Sequence, residues 1–170
     1  MPEDVTGLGL RFGSVDEGRA WVGRVSERKT AWFPIDRSMV LYYCALVEDG
    51  NPRYWDGDEC PPGLLMTLGF NPPWMPEDHR RGDGLFALGV PLPGRHIINA
   101  STTTEIERRP RIGDRVSVDE EIVSISDEKT TRLGRGVFIT SVSTYRDQDS
   151  GLIARNTNVL FRYDEPGVTT

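Results

Sequence analysis

Cysteine and histidine are scarce in this chain, with two of each among 170 residues. Cys44 falls in an apolar run and Cys60 in a Pro-rich stretch, so they form neither a disulfide framework nor a metal cluster, and both are expected as small buried apolar groups. No C-x-x-C or H-E-x-x-H spacing supplies metal ligands, and no metal is expected. Basic charge is also in short supply: 20 Lys and Arg stand against 26 Asp and Glu, a net charge of −6. No basic run interleaves with aromatic residues, which argues against nucleic acid as a partner. No apolar run approaches the ~20 residues that cross a bilayer. Residues 1–11 are acidic where an export signal would be basic, so the expectation is a cytoplasmic protein with reduced thiols and no membrane partner. Gly134–Arg135–Gly136 does not lead from a strand into a helix, which removes the nucleotide-binding fingerprint.

What is present begins with nine apolar or aromatic residues in succession, Met39–Val47. No Gly or Pro breaks them, and Met39, Leu41, Ala45 and Leu46 are good helix formers. Asp36 or Ser38 can cap the start. Glu48–Asp49–Gly50 followed by Asn51–Pro52 ends the helix, since Gly can cap and Pro cannot continue. A helix apolar on every side predicts burial on every side, so the rest of the chain should wrap around it.

Residues 1–19 read as an N-terminal arm or short helix, and Ala20–Val25 as a first strand. After the helix, residues 55–95 are dense in Pro and Gly, which excludes a long helix or a central strand, although Gly63–Phe70 can make one or two helical turns. So long a connection reads either as an irregular cover over the core or as a lid on an apolar ligand. From Gly94 onward long strands follow: Ile97–Glu107, Arg115–Ser126 with a bulge near Glu120–Glu121, Thr130–Tyr145 and Leu152–Tyr163, the last two joined across a polar loop. Short connections suggest a meander-like antiparallel sheet, with Val137, Ile139, Thr157, Val159 and Phe161 pressing on the core. Residues 164–170 form a polar tail. One early helix, one strand before it and four after it make a single α+β domain over residues 1–170, a curved antiparallel sheet rolled around one helix, which is the hot-dog fold.

The chemistry sits where the helix ends. Asp49–Gly50–Asn51–Pro52–Arg53–Tyr54 resembles the D-x-N-P-x-H motif of the MaoC-like dehydratases and (R)-specific enoyl-CoA hydratases. Arg109–Pro110–Arg111–Ile112–Gly113–Asp114 resembles that family's R-P turn ending in G-D. Asp127–Glu128–Lys129–Thr130 with Gly134, and Tyr145–Arg146–Asp147–Gln148 before Gly151, are similar to two of its later segments. Together they resemble the N-terminal, fatty-acid-synthase-like hot dog of two-hot-dog dehydratases over roughly Trp21–Tyr163.

In that family the Asp and His of the motif act on water, adding it across the double bond of an enoyl thioester or removing it. The resemblance places Asp49 on the catalytic Asp and Tyr54 on the catalytic His. A phenol ionises near ~10 and imidazole near ~6.5, so tyrosine does not exchange protons at neutral pH as histidine does. The other histidines, His79 in a charged loop and His96 before a strand, do not fall on the motif.

The resemblance therefore implies a subunit that shapes the acyl pocket while a partner hot dog supplies the Asp and His. Acyl-CoA is the implied substrate, with no cofactor; Asn51 and Pro52 of the motif, and Met66, Phe70 and Trp74 from the lid reading of residues 55–95, are the expected substrate-binding residues. The alternatives are a self-sufficient homodimeric hydratase using Asp49 and Tyr54, a hot-dog thioesterase, and an acyl-CoA-binding protein without turnover.

Overall fold

Runs of β-branched residues at period two become strands because the branched side chains pack well on a pleated surface. The computed structural model describes residues 9–68, 76 and 85–166. Helices α1 (Val15–Arg19), α2 (Arg37–Leu46), α3 (Pro52–Trp55) and α4 (Leu64–Leu68) alternate with a short β1 (Lys29–Thr30). A 3₁₀ turn at Phe86–Gly89 leads to β2 (His96–Ile106), β3 (Ser117–Ile125), β4 (Lys129–Thr131), β5 (Gly134–Arg146) and β6 (Leu152–Asp164). The strands form one antiparallel sheet in the order β1-β3-β5-β6-β2, with β4 paired to β5.

Two apolar clusters sit on the helix-bearing face. One gathers Val40 and Cys44 of α2 with Tyr54, Leu64, Leu65, Val116, Tyr145 and Ala154. The other joins Ala87, Val90 and Leu92 to Ile122, Val137, Ile139 and Leu160. The sheet and its helix thus make the hot-dog architecture expected from the sequence.

Several expectations are corrected. Ala20–Val25 is not a strand: Ser14 and Glu17 form a reciprocal capping box that starts α1, the chain then turns, and Val25 keeps a single bridge to Glu121. The sheet is not a simple meander, because β2 pairs with β6 at the far edge and not with β3. Thr130–Tyr145 is interrupted by a tight turn at Arg132–Leu133, where Gly134 takes a φ of 142° that disfavours any other residue. The bulge in β3 falls between Ile122 and Ser124, a little beyond the acidic pair.

Val137, Ile139 and Phe161 are buried as expected, but Thr157 and Val159 are only half-buried. They lie on the opposite face from Val137 and Ile139, and Phe161 is covered there by stacking on Phe138 and Tyr163. On β6 it is Ala154, Asn156, Asn158 and Leu160 that turn inward.

The largest correction concerns α2. Asp36 caps it through Met39 N–H at 2.8 Å, and Val40 and Cys44 are fully buried. Its other side is open: Tyr42 is 74% and Leu46 84% exposed, and Ala45 is exposed beside them. The helix is apolar all round, yet this chain covers only one stripe of it.

Candidate functional site

Helix α2 closes on a backbone reversal made without glycine. Glu48 adopts a φ of 55°, and the Asp49 N–H donates back to the Cys44 carbonyl at 2.9 Å, so the left-handed cap is Glu48 where Gly50 was expected. The Asp49 carboxylate folds onto its own chain and accepts from Asn51 N–H at 3.0 Å, while the Asp49 carbonyl takes the Trp55 indole N–H at 2.7 Å. Asn51 caps α3 by accepting from Arg53 N–H at 3.1 Å, and Pro52 at its first turn supplies a pre-set φ. The motif residues therefore build a tight turn and a one-turn helix.

Tyr54 is carried inward by α3 and is only 4% exposed. Its hydroxyl accepts from Arg109 Nη1 at 3.2 Å, and its carbonyl accepts from Arg37 at 3.1 Å. Arg109 Nε also lies 3.5 Å from Glu59 Oε2, which Arg53 approaches at 3.6 Å. Two motifs far apart in sequence thus meet here. Backbone bonds hold them together: Cys60 N–H to the Pro110 carbonyl at 2.8 Å and Ile112 N–H to the Asp58 carbonyl at 2.9 Å.

A third motif joins through Arg108. Its guanidinium grips Asp114 with both nitrogens, at 2.8 and 3.1 Å, and reaches Asp147 at 2.7 Å. Asp147 in turn accepts from the N–H groups of Gly151 at 2.7 Å and Asp149 at 3.0 Å, fixing the β5–β6 hairpin. The hydrogen bond from Arg108 holds the Asp147 carboxyl below its ordinary range, and the bond to Asp114 raises the already high Arg108. Glu59, Arg108, Arg109, Arg111, Asp114, Asp147 and Gln148 line a cleft of about 330 Å³.

Sequence reasoning missed Arg108 and Glu59. Arg108 stands immediately before the R-P turn, and a doubled arginine beside G-D was the available signal. Glu59 carried none, because its role depends on the approach of the turn that holds Arg109. Of the expected substrate-binding residues, Asn51 and Pro52 sit in the turn, and Met66 is 39% exposed on α4 and does not line the cleft. Phe70 and Trp74, like His79, lie outside the described residues. His96 opens β2 with its ring against Tyr163.

The thiols are not poised as nucleophiles. Burial pushes Cys60 up to about 12 and also raises Cys44. Among the described residues no group of three or more His, Cys, Asp or Glu is placed to hold a metal ion, and no helix is long and apolar enough to cross a membrane.

The family described as the FAS1-like dehydratase domain region matches residues 20–156. A probable enoyl-CoA hydratase alpha subunit from Thermomonospora curvata is 31% identical over 160 residues, a match that covers 85% of this chain and 50% of the relative. The chain thus spans about half the length of that relative. Among solved structures, the ChsH1–ChsH2 complex from Mycobacterium tuberculosis contains a chain with the same fold, at a TM-score of 0.71 and 19% identity, covering 91% of each chain. A MaoC-like dehydratase from Rhodospirillum rubrum superposes with a TM-score of 0.55 at 16% identity, over 85% of this chain and 94% of the other. With the segments around Tyr54, Arg109 and Asp147 gathered at the helix end and the family match running through all of them, the chain belongs to the FAS1-like dehydratase domain region family and has the hot-dog fold.

Proposed function

We propose that this chain is the pocket-forming, non-catalytic half of a hetero-oligomeric enoyl-CoA hydratase (3-hydroxyacyl-CoA dehydratase), completed by a partner hot dog that carries the Asp and His. The observation that carries this reading is the state of the two motif positions. One oxygen of the Asp49 carboxylate accepts from Asn51 N–H, and the residue at the histidine position is a buried tyrosine tied to Arg109. Hydration places hydroxyl on C3 of the enoyl thioester and a proton on C2. Both steps need a group that exchanges protons near neutral pH, and among the described residues no such group stands beside Asp49. The reading requires no cofactor.

The surface supports a partner. The open side of α2 presents Tyr42, Ala45 and Leu46, and among the described residues β2 pairs only with β6, leaving a sheet edge that invites strand addition. The designation of the Thermomonospora curvata relative as an alpha subunit and the two-component nature of the ChsH1–ChsH2 complex agree with this arrangement.

The test is co-expression with a hot dog bearing D-x-N-P-x-H, then purification and a hydration assay on crotonyl-CoA and longer enoyl-CoAs. The chain alone should give no turnover above a heat-killed control, and the complex should be active. Turnover by the isolated chain that vanishes in Asp49→Asn would overturn the proposal. Tyr54→His should restore little activity, because Asp49 remains engaged with its own turn and Arg109 loses its phenol partner. A gain of a hundredfold or more over the unmodified chain would mean that the dyad alone was missing.

A further inference from the structure

The helix-bearing face of the sheet is apolar at both ends and polar in the middle. Register across four strands aligns Glu120, Ser143, Asn156 and Thr104 in one row, and Ile122, Ser141, Asn158 and Thr102 in the next. These rows, polar except at Ile122, which belongs to the second cluster, separate the cluster around Tyr145 and Ala154 from the cluster around Ile139 and Leu160. Ser141, Ser143, Asn156 and Asn158 are each at most 5% exposed, yet Thr102 and Thr104 at the β2 edge are open. The strip therefore runs from the interior of the fold to its rim.

Most of its polar groups serve the fold. Glu120 accepts from the N–H groups of Phe86 and Ala87, at 2.6 and 3.4 Å, and fixes the 3₁₀ turn. Asn158 accepts from Thr102 at 2.8 Å, which accepts from Asn99 at 2.7 Å. Asn156 is different. Its Nδ2 donates to Thr104 at 2.7 Å, but its Oδ1 is fully buried and has no hydrogen-bond partner among the described residues. Turning the amide over exchanges the roles and leaves its NH₂ end with a free donor, so one end is unpartnered in either setting. A buried amide that keeps one end unmatched is costly to the fold, and apolar residues at these positions would pack without that cost.

We propose that this strip is a specificity site for the acyl group, and that Asn156 receives a hydroxyl borne on the acyl chain. A hydroxyl both donates and accepts, so it satisfies Asn156 in either amide setting, and Ser141 and Ser143 beside it offer further polar contacts. The apolar clusters on either side would flank hydrocarbon before and after that oxygen. The preferred substrate is thus an oxygenated acyl thioester and not a plain fatty chain. This inference rests on the acyl-pocket reading above.

Isothermal titration of the full chain with dodecanoyl-CoA and with its mid-chain and terminal hydroxyl derivatives tests it. At least one hydroxylated acyl-CoA should bind about tenfold more tightly than the parent, the worth of one well-formed hydrogen bond. Asn156→Leu, similar in volume, should level the two affinities. Ser143→Ala, which removes one hydroxyl of the same row, should narrow the ratio, and it keeps the test standing where Asn156→Leu does not fold. Equal affinities in the unmodified chain, or an unchanged ratio in both variants, would overturn the inference. If the partnered complex hydrates enoyl-CoAs without any preference for oxygenated chains, only this inference falls. If neither the chain nor the complex binds any acyl-CoA, the acyl-pocket reading falls with it.

Discussion

Val40→Asp should yield no folded protein, whereas Ala45→Asp, five residues along the same helix, should melt within a degree or two of the unmodified chain. Val40 is fully buried in the cluster that includes Cys44, Tyr145 and Ala154. A carboxylate there has no cation within the cluster to pair with. Its desolvation costs several kcal/mol out of a total stability of ~5–15 kcal/mol. Ala45 lies on the exposed side, where substitutions usually change stability by less than about 0.5 kcal/mol. The same Ala45→Asp change should weaken association with a catalytic partner by about a hundredfold or more if the partner docks on this face as proposed, since it puts a charge among the exposed apolar side chains of Tyr42 and Leu46. Circular dichroism melts and co-purification separate the two effects. A cooperatively melting Val40→Asp, or an Ala45→Asp that unfolds while the partner is absent, would show that the faces of α2 are assigned the wrong way round.

That contrast also marks where sequence reasoning stopped. The apolar run Met39–Val47 correctly announced a helix, with its Asp36 cap, and the β-branched runs correctly announced strands. A pattern apolar on every side, however, says that all faces seek cover without saying which chain provides it. The inward row on β6 was misread for a related reason. Thr157, Val159 and Phe161 are the less polar set and so the expected inward row, while the sheet turns Asn156 and Asn158 inside. Local polarity and burial disagree there, which is the usual mark of a site with a purpose beyond packing.

The candidate site divides in the same way. The D-x-N-P stretch was legible as the end of α2 and as a family motif, whereas the one-turn helix α3 was not expected, although Asn51 as its cap and Pro52 in its first turn are local signals. The pairing of Tyr54 with Arg109, and of Arg108 with two separate carboxylates, depends on how the 108–114 turn docks against the segment after α3 and on the β5–β6 hairpin. No single stretch of sequence contains that information.

Arg108→Met should lower stability by about 2–3 kcal/mol at neutral pH, and the deficit should shrink as the pH falls below about 4. The guanidinium lies between Asp114 and Asp147, which are 11% and 13% exposed, and is itself 33% exposed. Removing it leaves two poorly solvated carboxylates beside each other. The loss is set below the ~3–5 kcal/mol of a fully buried pair because water still reaches part of the arginine. The pH dependence follows from the direction in which Asp147 is shifted. The hydrogen bond from Arg108 holds its folded pKa below the unfolded value, near ~3.9 for an aspartate. Its contribution is therefore complete above that value and is lost as the pH falls through the folded pKa. Without Arg108 the largest part of that contribution is absent from the start, while the bonds from the Gly151 and Asp149 N–H groups remain, so the two proteins converge in acid. Urea unfolding of both at pH 7 and pH 3 measures this, and at neutral pH the melting temperature should drop by about 5–10 °C. A deficit below about 1 kcal/mol, or one that does not change with pH, would mean that the turn and the hairpin are held together by their backbone bonds and not by the arginine between them.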